Sequence, residues 1–551
     1  MEKLLADDRE PILWDYLVIG GGVVGSAIAR ELSRYMGRQG QGQGQGPGVS
    51  GGPFPLSFNP ALKIGVLEKN PDVCCETSGR NTAVIHGGFA YDTGSLKARF
   101  CVEGNRGMTK LAEDLDFRFI RTGKVLIGNT DADMASLKRT MAQGERNGVE
   151  GLRLMDGEEL HRRVPSVNGK FAMWSPNSGI VDPFMYTIAL AENAAMNGVR
   201  YFLNTGVTAA AFDTAEKVYR VTTNRGVFRS RWVINSAGLS CGQVSDMLGL
   251  TGYRVVFSKD HYIILDQRCG ADVPLPLYTV PSNTYMGIHV TPTVDGNVLV
   301  GPDAEEFPDL PLSGDGSGPL YDVPQRNIDF LAEDASILWP HIHKKDYIRT
   351  YCGILPKWTD ENGVIQDFRI EIRDDIAPQA VNLVGIESPG LTCAVPIARH
   401  VVSMIREREP LEERPDFNGR RKGIRRFADM TDTERAEAIR RDPDYGELVC
   451  RCERVSRAEI LQAIRNPLGV ETMTGIKYRT RSMMGRCQGG YCQMRVEQML
   501  EEEKHRSETE ILYSRPGSQV LFGKVREAGG ETARPCAPAG TGASCPSEVR
   551  Q

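Results

Sequence analysis

Two cysteine pairs near the C-terminal end, Cys450-Arg451-Cys452 and Cys487-Gln488-Gly489-Gly490-Tyr491-Cys492, can bring four thiolates around one metal centre. Zinc and an iron-sulfur cluster both fit that count, although a one-residue gap is short for common zinc sites. Near the other end, Gly20, Gly22 and Gly25 make G-x-G-x-x-G. The first glycine permits a tight turn, the second lets a pyrophosphate approach the backbone, and the third lets helix and strand pack closely. His289 interrupts an otherwise apolar strand, so it needs a hydrogen-bond partner or a chemical job, and a lone imidazole serves packing as readily as chemistry.

These residues need elements to hold them. Residues 17–19 read as a short strand, and Val24, Ile28 and Leu32 then recur on one helical face, so the glycines join a strand to a helix. The N-terminus of that helix offers free N–H groups and its positive dipole end to phosphates. A second strand, residues 63–67, ends in Glu68, whose carboxylate can accept ribose hydroxyls. The spacing to this acid exceeds the usual ~20 residues. The excess lies in residues 39–52, where Gln-Gly repeats read as a flexible surface insertion.

The chain has 551 residues, room for several domains, with 25% charged and 40% hydrophobic residues, the balance of an ordinary globular protein. A net charge of −5 without a basic domain gives no electrostatic case for nucleic acid. No apolar run approaches the ~20 residues of a membrane span. The acidic first eleven residues do not resemble an export signal, so a cytoplasmic or peripheral location is expected. In such a chain thirteen cysteines suggest metal binding, catalysis or burial before disulfides.

Further along, helices are expected over residues 96–115, 183–197, 328–338 and 390–405, and strands over 124–128, 200–203, 218–223, 226–234, 255–265, 286–291 and 297–301. Ser456 and Glu459 form a capping box for a helix over 457–464. Residues 408–443 read as a charged, solvated or interdomain linker, and residues 506–551 as a polar tail without a core.

The fingerprint, Glu68, and the segments Thr77-Ser78-Gly79-Arg80-Asn81-Thr82, Ile85-His86-Gly87-Gly88 and Gly385-Ile386-Glu387-Ser388-Pro389-Gly390-Leu391-Thr392 resemble FAD-binding oxidoreductases of the D-amino-acid-oxidase-like superfamily. Within it, residues 94–105 and 287–302 are similar to FAD-dependent glycerol-3-phosphate and L-2-hydroxyglutarate dehydrogenases. The cysteine segments look like the bacterioferritin-associated-ferredoxin-like [2Fe-2S] domain, which favours a cluster over zinc.

The resemblance implies an α/β fold: a Rossmann-like FAD-binding domain interleaved with an α+β substrate domain, plus a small helical iron-sulfur domain. The flavin domain would span 13–407, with nucleotide-binding parts at about 13–110, 183–250 and 350–407 and substrate parts at about 111–182 and 251–349. The cluster domain would span 444–505. FAD contacts are implied at Gly20, Gly22, Val24, Gly25, Glu68, Lys69, Ser78, Asn81, Thr82, Val207, Ala237, Gly238, Gly353, Gly385, Gly390, Leu391 and Thr392, and cluster ligands at Cys450, Cys452, Cys487 and Cys492. His289, then His86, is the expected base, and Lys357, Lys259 and Arg80 are the expected cations for a small anionic hydroxy substrate. Electrons would pass through the cluster to an external acceptor. Leu355 stands where the resemblance has arginine, which removes a bidentate anion clamp. An electron-transfer or metal-handling subunit without its own substrate is the alternative of another class.

Overall fold

The computed structural model describes residues 12–37, 61–280, 287–311 and 320–523. The Gln-Gly stretch, the chain beyond residue 523 and the cysteines Cys536 and Cys545 lie outside the described residues.

The strand Leu13–Ile19 lies between two parallel neighbours, Ile64–Leu67 and Gly226–Asn235. Arg200–Phe202 extends the sheet beyond Ile64–Leu67, and Ala380–Val384 pairs in parallel with Gly226–Asn235. A parallel sheet is covered on both faces, which is why Leu17, Val18 and Ile19 are all buried in one run. Tyr16 and Val18 face the helices Val23–Leu32, Pro183–Met196 and Gly390–Arg406, meeting Ile28, Leu190 and Ile397. Leu17 and Ile19 point the other way, towards Tyr219 and Val244.

A second, mostly antiparallel sheet carries the substrate side. Its spine is the long pair Arg254–Leu265 and Tyr347–Thr359, and Lys124–Gly128 lies between Leu277–Thr279 and Phe171–Ser175. The helix Gln325–Leu338 packs Leu331, Ala335 and Leu338 into its core. The expected return to the nucleotide part near residue 350 comes later, because Tyr347–Thr359 is held in this sheet along nearly its whole length.

The C-terminal domain has its own core of Val449, Ile460, Ile476 and Met499 beneath the helices Arg457–Ile464, Met473–Thr480 and Gln493–Lys504. The Ser456–Glu459 capping box forms as expected. This domain runs past residue 505: Ile511 is buried in its core, and Leu512 and Tyr513 accept backbone N–H groups from Met473 and Thr474 at 3.0 and 2.8 Å. The first residues of the expected tail are ordered because Ile511 supplies apolar surface that the composition of the whole tail concealed.

The charged stretch 408–443 also folds back. Leu411–Glu413 pairs with Tyr35–Gly37, and Arg421 is buried against Glu192 at 2.7 Å. None of the helices in the described residues is long and apolar enough to cross a membrane.

Candidate functional site

A cavity of about 530 Å³ runs from the first strand-helix turn to the second sheet. At its nucleotide end the three glycines have separate steric reasons. Gly20 has φ +106°, and a Cβ there would sit 2.4 Å from the Ser236 carbonyl oxygen. A Cβ on Gly25 would lie 2.0 Å from the Gly20 oxygen, so helix and turn can pack only with glycine. At Gly22 a Cβ would meet one side-chain atom, Ser78 Oγ at 3.0 Å, and no backbone.

Gly22, the N-cap of the helix beginning at Val23, has no side chain, the first turn carries no acid, and Ser78 Oγ takes only the Val23 N–H, at 3.0 Å. Its N-terminus is therefore electropositive and available to an anion. Glu68 lines the same end. Its carboxylate accepts the Gly21 and Asn70 N–H groups at 2.7 and 2.8 Å and the Asn70 amide at 2.9 Å. Burial pushes its pKa up, and the backbone N–H groups oppose that shift.

Val24, Lys69, Ser78, Asn81, Thr82, Val207, Ala237, Gly238, Gly390 and Leu391 also line the cavity. The helix Gly390–Arg406 presents a second N-terminus to it, this one without a side-chain cap and again without an acid in its first turn. Gly353, Gly385 and Thr392, expected as FAD contacts, do not line the cavity. A Cβ on Gly353 would meet the Arg80 carbonyl oxygen at 1.9 Å, Gly385 has φ +67° against Trp358, and Thr392 Oγ1 accepts the His86 N–H at 3.1 Å.

At the far end the cavity is lined by His86, Lys124, Asp260, Tyr262, Tyr278, His289 and Lys357. His289 stacks on Tyr278 with centroids 3.5 Å apart, and its buried Nδ1 has no hydrogen-bond partner among the described residues. Burial, reinforced by Lys124, lowers the His289 pKa to about 3 and the His86 pKa well below the usual imidazole value. Both rings are neutral at pH 7 and so keep a free lone pair.

The expected cations part company here. Lys357 lines the cavity and pairs with Glu306 at 3.0 Å. Lys259 does not line it, because strand alternation puts Ser258, Asp260 and Tyr262 on the cavity side and turns Lys259 away to Asp322. Arg80 is also outside the lining, donating to the Cys75 and Cys352 carbonyls at 3.2 Å each with its guanidinium over the Tyr321 ring.

Lys124 and Asp260 were not singled out from sequence. Burial moves the Asp260 pKa up to about 6 and the Lys124 pKa down to about 7. The signal that marks His289, a polar residue in an apolar strand, was equally present at Lys124-Val125-Leu126-Ile127.

In the C-terminal domain, Cys450 Sγ and Cys452 Sγ are 3.8 Å apart, and Cys452 Sγ and Cys487 Sγ are 3.7 Å apart. Cys492 contacts Cys450. The thiols thus form an open string, and among the described residues no three or more His, Cys, Asp or Glu side chains close around a single-ion site. Four soft donors this close together suit a metal–sulfur centre. Gly485 makes room for them, since a Cβ there would lie 2.5 Å from Cys452 Sγ.

The family model for FAD dependent oxidoreductases matches residues 15–404, well over half of the chain. The chain belongs to the FAD-dependent oxidoreductase family. A second model, the BFD-like [2Fe-2S] binding domain, matches residues 448–502. This oxidoreductase is 32% identical over 520 residues to a glycerol 3-phosphate dehydrogenase of Caloramator mitchellensis, covering 93% of this chain and 99% of that one. It is 26% identical over 426 residues to the L-2-hydroxyglutarate dehydrogenase of Escherichia coli strain K12, covering 71% and 93%. Among solved structures, the dithionite-reduced L-alpha-glycerophosphate oxidase from Mycoplasma pneumoniae with FAD bound superposes with a TM-score of 0.64 at 24% identity, over 74% of this chain and 98% of that one. That likeness establishes the shared fold.

The cofactors of this flavoprotein are FAD and a [2Fe-2S] cluster. The residues present fit both groups: a glycine turn, two helix N-termini without acids in their first turns and a buried carboxylate for FAD, and four adjacent thiols for the cluster.

Proposed function

We propose that this oxidoreductase converts glycerol 3-phosphate to dihydroxyacetone phosphate, with the electrons leaving to an external acceptor. One observation carries the choice of substrate. The Caloramator mitchellensis relative aligns over 93% of the chain and 99% of its own length, so the likeness includes the cysteine-bearing domain. The L-2-hydroxyglutarate dehydrogenases align over 53–73% of the chain. They support a 2-hydroxy acid as the second reading.

FAD supplies the two-electron acceptor and the cluster supplies one-electron chemistry. The protein holds FAD through Gly20, Gly22, Val24, Gly25, Glu68, Ser78, Asn81 and the helix starting at Gly390. His289 takes the substrate hydroxyl proton at its unpartnered Nδ1, with His86 as the second candidate. Tyr278 fixes the His289 ring plane by stacking, and burial keeps that ring neutral. A cation of the lining matches the substrate anion. Cys450, Cys452, Cys487 and Cys492 hold the cluster.

The test is anaerobic mixing of the holoprotein with glycerol 3-phosphate and, separately, with L-2-hydroxyglutarate, watching the flavin absorbance. Fast bleaching by glycerol 3-phosphate is expected. Bleaching by the hydroxy acid alone would select the second reading, and bleaching by neither would refute both.

A further inference from the structure

Among the described residues, the Lys124 ammonium has no counter-charge. It is 3% exposed and lines the cavity, and among the described residues its side chain makes neither an ion pair nor a hydrogen bond. Every other lysine of the lining has a carboxylate: Lys69 faces Glu76 at 3.9 Å, Lys97 faces Glu387 at 2.6 Å, and Lys357 faces Glu306 at 3.0 Å. An ammonium buried without an anion is unfavourable, and among the described residues what opposes that is two aromatic faces and the neighbouring Cys101. Lys124 Nζ lies 4.1 Å from the Tyr278 ring centroid and 4.7 Å from that of Phe89.

The backbone is built to put it there. Gly123 precedes Lys124 at φ +71°, and a Cβ on it would lie 1.9 Å from the Trp174 ring, so glycine alone lets the strand enter at this angle. The strand Lys124–Gly128 is then pinned on both sides, by Phe171–Ser175 and by Leu277–Thr279. Tyr278, on the second of these, carries the His289 ring. The unpaired amine and the imidazole expected to accept the proton therefore share one aromatic ring.

We propose that Lys124 binds the anionic group of the substrate and so sets the position of its hydroxyl relative to His289. This rests on the reading of the chain as a dehydrogenase of a small anionic alcohol. Burial holds the free amine near its titration point, and a bound anion would draw it fully to the ammonium form.

The test uses full-length holoprotein and Lys124→Met. Inorganic phosphate is titrated anaerobically while the flavin spectrum is recorded, and the apoprotein is melted separately. The wild type is expected to give a saturable spectral shift that weakens at least tenfold in the variant. The variant apoprotein is expected to melt at the same temperature or higher, because a buried uncompensated amine has been removed. With glycerol 3-phosphate, the KM should rise at least tenfold, with a smaller change in the flavin reduction rate at saturation.

Equal phosphate affinity in the two proteins would overturn the proposal, even if glycerol 3-phosphate reduces both. A variant that loses its fold or its flavin would also overturn it, since Lys124 would then be a packing residue. A phosphate shift lost in the variant while glycerol 3-phosphate fails to reduce the wild type would support Lys124 as an anion site and reject the substrate.

Discussion

Arg479 of the C-terminal domain is bound to Asp72 of the flavin domain through two contacts, 2.6 and 3.2 Å, with both side chains almost fully buried. Asp72 belongs to the loop between Glu68 and Ser78 that walls the cavity. Beside it, Tyr478 stacks on Phe184 with centroids 4.1 Å apart, and Phe184 packs within 3.0 Å of where a Cβ on Gly79 would sit. The thiol-bearing domain is thus docked on the outer side of the FAD-binding loop. Breaking one partner of a buried pair costs about 3–5 kcal/mol, because the other charge is left unmatched. Arg479→Met should therefore lower the melting temperature and slow delivery of electrons to an external acceptor, while flavin reduction by substrate keeps its rate. Stopped-flow measurement of the two half-reactions would separate these effects.

The glycines of the fingerprint should respond differently to the same substitution. Gly22→Ala places a methyl over the turn, 3.0 Å from Ser78 Oγ and clear of backbone, so FAD affinity is expected to fall at least tenfold while the apoprotein loses less stability than in Gly25→Ala. Gly25→Ala drives a methyl into the Gly20 carbonyl, 2.0 Å away, and is expected to destabilise the apoprotein itself. Flavin content and apoprotein melting curves check both.

Stability should fall on the acid side. An unfolded histidine titrates near ~6.5, whereas burial holds His289 at about 3 and His86 well below normal in the fold. The folded values are depressed, so as pH falls below ~6.5 the unfolded chain takes up protons first. Each ring then costs up to about 1.4 kcal/mol per pH unit. Lys124 acts with the same sign between about 7 and its unfolded value near ~10.4. The apoprotein is expected to melt lower at pH 5 than at pH 8, with a shallower dependence in His289→Gln. A flat profile would show that these groups are not buried.

Local pattern made much of the molecule readable. The bounds of Leu96–Leu115, Lys124–Gly128, Val218–Thr223 and Arg457–Ile464 follow from periodicity, turn residues and a capping box. What local pattern does not carry is the partner of a charged side chain. Lys259 and Arg80 look alike as cations in sequence, yet Asp322 and two backbone carbonyls claim them. Arg421 sits in a run of basic residues and is buried by Glu192, 229 positions earlier. Lys124 escaped notice for the converse reason: its importance lies in lacking a partner, which only the assembled cavity reveals.

Electrons taken from the substrate should reach iron within the same chain. The most direct measurement adds less than one equivalent of glycerol 3-phosphate to anaerobic, cluster-loaded holoprotein, freezes it, and records flavin absorbance and the EPR spectrum together. Partial flavin bleaching with the signal of a reduced [2Fe-2S] cluster, lost in Cys452→Ser, is the expected result. An unchanged flavin, or a bleached flavin beside a cluster that stays oxidised, would contradict it.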